Sequence, residues 1–112
     1  MMDEAQPSRP MVEVLYFDGC PNHERLLEHL PALLEGAGVD AELVLTEVPD
    51  DERAQAMRFL GSPTVRVNGL DIEPGSEQRT DFGLKCRIYR GPEGLSGIPT
   101  DQWLLHALAG AA

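Results

Sequence analysis

The feature that most constrains the fold is a change of hydrophobic period near the start of the chain. Residues 11–17, with the sequence MVEVLYF, are rich in β-branched and aromatic side chains, which is typical of a buried strand. The turn-forming pair Asp18-Gly19 follows, and from Pro21 onward leucines recur at helical spacing. A strand that passes directly into a helix predicts an α/β chain.

Alternation of the two periods continues along the chain. The predicted strands are 11–17, 41–48, 62–69 and 84–90, and the predicted helices begin near Pro21, Asp50 and Thr100. Short strand–helix links favour right-handed crossovers and parallel pairing in the first half, whereas Asn68-Gly69 predicts antiparallel pairing of the last two strands. We therefore expect the order β-α-β-α-β-β-α, with a four-stranded mixed sheet, helices on both faces, and loops at 70–83 and 91–97.

Length and composition limit the organisation and the partners. A chain of 112 residues has room for one domain, predicted at 11–112, after a polar, proline-containing flexible tail at 1–10. No signal-peptide core or membrane-spanning stretch is evident, which predicts a cytoplasmic protein without a membrane partner. The net charge of −10 argues against nucleic acid as a partner, because the protein and the nucleic acid would both be negatively charged.

Two cysteines are the candidate reactive groups, and in a cytoplasmic chain they are expected to be reduced. Cys20 stands where the first helix begins, and the unpaired N–H groups and positive dipole end there favour a thiolate. Pro21 suits the first helical turn because it has no N–H group to leave unpaired. His23, three residues after Cys20, would lie on the same face and could stabilise the thiolate or carry its proton.

Two motifs at the matching points of this order resemble the thioredoxin-like superfamily. Residues 17–23, FDGCPNH, resemble the active-site segment of thioredoxin and glutaredoxin, and residues 61–65, GSPTV, resemble the cis-proline segment. The resemblance covers residues 11 to about 109 and is closer to the compact glutaredoxin form. The chain also resembles short bacterial thioredoxin-like proteins, some of which are labelled alkylmercury lyase.

The resemblance implies a catalytic Cys20 facing a substrate-binding loop. It implies a cis peptide bond between Ser62 and Pro63, with main-chain groups of Ser62 offered to an extended, thiol-bearing substrate. Pro21, Pro63 and Thr64 would complete the substrate-binding surface. The chain departs from the Cys-x-x-Cys pattern because His23 replaces the second cysteine, so local resolution of a mixed disulfide is impossible and an external thiol is expected to resolve it.

Cys86 has two interpretations. Alternation places it with Leu84 and Ile88 on one apolar face of the predicted fourth strand, as a small core residue. If the third and fourth predicted strands form a regular hairpin, Cys86 lies roughly 10–13 Å along the strand from Pro63, beside which Cys20 is expected. That separation is beyond the reach of a disulfide bond. Alternatively, a bulge or a folded-back loop at 70–83 brings it to Cys20 as a second thiol.

Three cations on the last two predicted strands form a basic cluster in an acidic chain. They are Arg66, Lys85 and Arg87. They either pair with acidic side chains or hold an anionic ligand such as the carboxylates of glutathione.

Three functions are compatible with these features. The first is a monothiol oxidoreductase in which Cys20 exchanges with a thiol- or disulfide-bearing protein or small molecule, with glutathione as a co-substrate and no other cofactor. The second is binding of mercury or another soft metal, as an ion or an organomercurial, by Cys20 and Cys86. The third is a binding module without chemistry that presents the Ser62-Pro63 loop.

Overall fold

The computed structural model describes residues 9–111, so residues 1–8 of the predicted tail lie outside the described part. In chain order the elements are β1 (Met11–Tyr16), α1 (Asn22–Ala37), β2 (Glu42–Glu47), α2 (Asp51–Ala56), β3 (Thr64–Val67), β4 (Leu70–Asp71), a 3-10 turn (Ser76–Gln78), β5 (Tyr89–Gly91), β6 (Gly94–Ser96) and α3 (Asp101–Ala111). The first three strands and all three helices therefore fall within or close to the predicted segments.

The main sheet has four strands in the order β2-β1-β3-β4. β1 pairs in parallel with β2 and antiparallel with β3, so that Val14 is aligned with Leu45 on one side and Val65 on the other. β4 then adds to β3 in antiparallel orientation. The prediction of an α/β chain with a four-stranded mixed sheet is confirmed.

The predicted position of the fourth strand, 84–90, is wrong. β4 begins immediately after the Asn68-Gly69 turn, where both residues have positive φ values of 52° and 88°. A tight turn of this kind favours immediate pairing of the chain with the preceding strand, so Leu70 and Asp71 take the edge of β3 before residue 84 is reached. β5 covers only the end of the predicted strand, and it forms a separate hairpin with β6, which lies in the predicted loop 91–97.

Both faces of the sheet are covered by helices. Consecutive strand residues point to opposite faces, and Val14 packs with α1 and α3 residues such as Leu30 and Leu104. Leu15 packs on the other face with Ala54 of α2 and with Phe59. Within the described part of the chain, no helix is both long enough and apolar enough to span a bilayer.

Candidate functional site

Cys20 lies at the end of the β1–α1 connection, beside the loop that leads into β3. Pro21 is the exposed N-cap residue of α1, and the Cys20 N–H donates to the carbonyl of Phe17 over 3.4 Å. The Cys20 thiol is 3.5 Å from the carbonyl oxygen of Ser62, to which it donates. Only 2% of Cys20 is exposed, so its sulfur is enclosed by neighbouring chain rather than open to solvent.

The loop beside Cys20 has the peptide geometry that the resemblance implies, but its residues are buried. The Ser62–Pro63 peptide bond is cis. Ser62, Pro63 and Thr64 are all buried, and the Thr64 hydroxyl donates to the carbonyl of Gly61. These three residues, which were expected to bind substrate, therefore have no exposed surface for it.

The main chain of Ser62 is bonded to a distant part of the same chain. Its N–H donates to the Lys85 carbonyl over 2.8 Å, and its carbonyl accepts the Arg87 N–H over 2.9 Å. These are the two bonds of a parallel β-bridge between Ser62 and Cys86. An extended substrate cannot use the donor and acceptor of Ser62 while residues 85–87 hold them.

Cys86 is the second thiol of the site. Its sulfur lies 2.9 Å from the sulfur of Cys20, and its S–H donates to that atom. Both thiols are free, and the separation exceeds a disulfide bond of about 2.05 Å by less than an ångström. The expected gap of roughly 10–13 Å is wrong, because residues 84–88 lie along Ser62 instead of forming a hairpin with β3.

The interpretation of Cys86 as a core residue is also wrong, because its segment turns the opposite face toward the protein interior from the one predicted. Cys86 and Ile88 are exposed, whereas Arg87 and Tyr89 are buried, each with 1% exposure. The alternation of buried and exposed residues was therefore predicted correctly, but the choice of which residues are buried was not.

In the hydrogen bond between the two thiols, Cys86 is the donor and Cys20 is the acceptor. Donation to Cys20, together with burial and the charge of Cys20, raises the pKa of the Cys86 thiol above its ordinary value. Cys86 therefore keeps its proton to a higher pH than an isolated cysteine does, as the donor of the pair.

His23 contacts the main chain of Cys20 rather than its sulfur. The Nδ1 atom of His23 donates to the carbonyl oxygen of Cys20 over 2.5 Å. The imidazole also stacks on Tyr16, with ring centroids 4.4 Å apart. These contacts fix the turn that carries Cys20, and no hydrogen bond joins the His23 ring to the Cys20 sulfur.

Arg87 fixes the segment that carries Cys86. Its side chain has no exposed surface, and its guanidinium donates to Asp71 over 2.7 and 3.1 Å and to Glu73 over 2.7 Å. A further bond of 3.0 Å reaches the Thr64 hydroxyl. Burial alone would lower the pKa of Arg87, but the hydrogen bonds and charges of the acidic residues outweigh it and raise that pKa, so the residue is a buried cation.

Tyr89 connects the same segment to the cis-proline loop. The guanidinium of Arg87 lies over its ring at 4.5 Å from the centroid, and its hydroxyl donates to the carbonyl of Pro63. Burial raises the pKa of Tyr89, so the phenol stays a neutral donor. Arg87 and Tyr89 together hold the Cys86 segment against the loop.

The three predicted basic residues do not form one ligand-binding cluster. Lys85 pairs with Asp81 at 2.8 Å, and Arg87 pairs with the acidic residues described above. Arg66 donates to the carbonyls of Met57 and Arg58. The interpretation that these cations pair with acidic side chains is confirmed for Lys85 and Arg87.

Sequence reasoning missed Arg87 and Tyr89 as supports of the site. A signal was available in Asp71 and Glu73, two acidic residues at alternate positions directly after the Asn68-Gly69 turn. Acidic residues this close to a strand edge favour a cationic partner across the edge. The sequence offers several cations for that position, and it does not distinguish among them.

Comparison of the whole chain with protein-family models, with curated proteins and with solved structures finds no match to any of them. Among residues 9–111, no three or more His, Cys, Asp or Glu side chains are grouped so as to hold a metal ion.

Proposed function

We propose that this chain is a thioredoxin-like protein that carries out thiol–disulfide exchange through the pair Cys20 and Cys86. The observation that carries the proposal is the separation of 2.9 Å between the two sulfurs. The motifs at 17–23 and 61–65 and the mixed sheet support the class of protein, because they place a helix-start cysteine beside a cis-proline loop.

The second thiol changes the expected mechanism from monothiol to dithiol. His23 occupies the motif position at which a resolving cysteine would stand, so a mixed disulfide cannot be resolved within the motif. Cys86 supplies a resolving partner from 66 positions further along the chain. The protein would then cycle between a dithiol and a Cys20–Cys86 disulfide, and would need no external thiol to resolve each adduct.

The experiment is exchange with glutathione disulfide as the oxidant, followed by mass spectrometry of the intact and digested protein. We expect oxidation to remove two hydrogens and link the peptides that contain Cys20 and Cys86. Reduction of a glutathionylated protein substrate should slow by roughly tenfold or more in either Cys20→Ser or Cys86→Ser, with the double variant as the blank. Unchanged turnover in the double variant, or failure of the wild-type chain to form the internal disulfide, would contradict the proposal.

Binding of a soft metal ion is the second candidate, and the adjacent sulfurs favour it too. Two thiolates suit soft ions such as mercuric ion, and the exposed Cys86 gives such an ion access. An ion bonded linearly to both at roughly 2.3 Å each would separate the sulfurs to about 4.6 Å, so Cys86 would have to move outward.

Titration of the reduced protein with mercuric ion tests this second function. One ion per chain, held in competition with excess glutathione and lost in both single-cysteine variants, would support it. Binding that Cys86→Ser leaves as tight as in the wild type would rule it out. Soft-metal binding without any disulfide exchange would make it the main function.

A further inference from the structure

The two thiols of the site differ in accessibility. The motif predicts that Cys20 attacks the substrate first, but Cys20 is the less accessible of the two. Cys20, at the helix start, is 2% exposed, whereas Cys86 is exposed. A thiolate must approach a disulfide along the line of the sulfur–sulfur bond that breaks, which requires a free side on the attacking sulfur. The sulfur of Cys20 is covered by the Ser62 carbonyl and by Cys86 itself.

The cover over Cys20 is built into the fold. Residues 85 and 87 are bonded to both main-chain groups of Ser62, and Arg87 is held by ion pairs with Asp71 and Glu73. Gly61, with φ of 127°, leaves room for this approach, because a Cβ atom there would lie 3.0 Å from the Lys85 carbonyl and 3.0 Å from the Arg87 Cβ. The Cys86 segment therefore occupies the strip beside Ser62 in which another extended strand would have to lie.

Resting on the proposed exchange function, we infer that Cys86 is the thiol that meets external disulfides, and that Cys20 is the internal thiol that resolves them. The substrate class is a disulfide that reaches an exposed thiol, as low-molecular-weight disulfides do. An extended polypeptide bound along Ser62 is not the substrate.

The reaction proceeds in two balanced steps. Cys86 first gives up its proton, less readily than an isolated cysteine because its pKa is raised. Its sulfur then attacks a disulfide RSSR, so that a Cys86–SR bond forms, the S–S bond of the substrate breaks, and RS⁻ leaves. The Cys20 thiolate then attacks the sulfur of Cys86, which forms the Cys20–Cys86 disulfide and releases the second RS⁻. The two thiol protons end on the two released thiols, and the protein is oxidised by two electrons while the substrate is reduced.

A single-turnover experiment with glutathione disulfide tests this order. The reduced wild-type chain, Cys20→Ser and Cys86→Ser are each mixed with excess glutathione disulfide, quenched in acid and analysed by mass spectrometry. We expect Cys20→Ser to accumulate a stable glutathione adduct on Cys86, because no resolving thiol remains. Cys86→Ser keeps a hydroxyl over Cys20 and should form its adduct more slowly than Cys20→Ser by about tenfold or more.

The site of the transient adduct in the wild-type chain is the second measurement, and it needs no variant to fold. We expect the adduct on Cys86 before the internal disulfide appears. An adduct on Cys20, or adduct formation in Cys86→Ser as fast as in Cys20→Ser, overturns the inferred order but leaves exchange intact. Absence of both an adduct and an internal disulfide in the wild-type chain overturns the exchange function itself.

Discussion

Replacing Arg87 by methionine is expected to lower the free energy of unfolding by about 3–5 kcal/mol, the usual cost of removing one partner from a buried ion pair. The side chain of Arg87 has no exposed surface, and its partners Asp71 and Glu73 are only 16% and 18% exposed. The substitution would leave two poorly hydrated carboxylates without their cation. Urea denaturation followed by circular dichroism measures the loss.

Lys85→Met is the matched control for this substitution. Lys85 lies two residues earlier and also pairs with an acidic residue, but its side chain and that of Asp81 are 42% and 51% exposed. An exposed pair of this kind contributes about 0–1 kcal/mol, so the control should change stability little. Equal losses in the two variants would show that the burial of Arg87 has no special role.

Replacing Gly61 by alanine is expected to cost about 2–4 kcal/mol and to slow formation of the Cys20–Cys86 disulfide. Its φ of 127° is unfavourable for a residue with a Cβ, and that Cβ would meet the Lys85 carbonyl and the Arg87 Cβ, each at 3.0 Å. The Lys85 carbonyl is part of the backbone and the Arg87 Cβ is attached to it. These short contacts can therefore be relieved only if the Cys86 segment shifts. Denaturation measures the stability, and the rate of oxidation by glutathione disulfide measures the sulfur contact.

Gly69→Ala separates the backbone strain of a positive φ from the close contacts of the added Cβ. Gly69 also has a positive φ, of 88°, but no atom lies within 4 Å of its added Cβ. It should therefore show backbone strain of about 1–2 kcal/mol and an unchanged rate of disulfide formation. If Gly61→Ala oxidises as fast as the wild-type chain, the close approach of residues 85–87 is not needed to bring the sulfurs together.

Local patterns predicted the elements that depend on neighbours in the chain. The change of period near Gly19 predicted β1 followed by α1, and Asp50 does cap α2, where its carboxylate accepts the Arg53 N–H over 2.8 Å. The resemblance at residues 61–65 predicted the cis bond at Pro63. The strand–helix succession and the cap arise from side chains and main-chain groups a few residues apart, which is why they can be predicted without the fold. The cis bond was predicted only by the resemblance.

The position of Cys86 could not be predicted in the same way. Its alternation with Ile88 is compatible with either face turned inward, and the choice depends on Arg87, whose acidic partners lie 14 and 16 residues earlier. A buried cation is unfavourable unless such partners are already in place, so the pattern alone favoured the apolar face. The ion pairs with Asp71 and Glu73 reverse that preference and turn Cys86 outward.

The amino-acid sequence by itself determined the succession of strands and helices, the place of Cys20 where α1 begins, and the absence of a second cysteine from its motif. Only the tertiary structure decided that Cys86 meets Cys20, because β4 forms at Leu70 and leaves residues 84–88 free to lie along Ser62. The physical reason is that the first set depends on short-range backbone preferences. The meeting of the sulfurs depends instead on strand competition and buried charge pairing between distant parts of the chain.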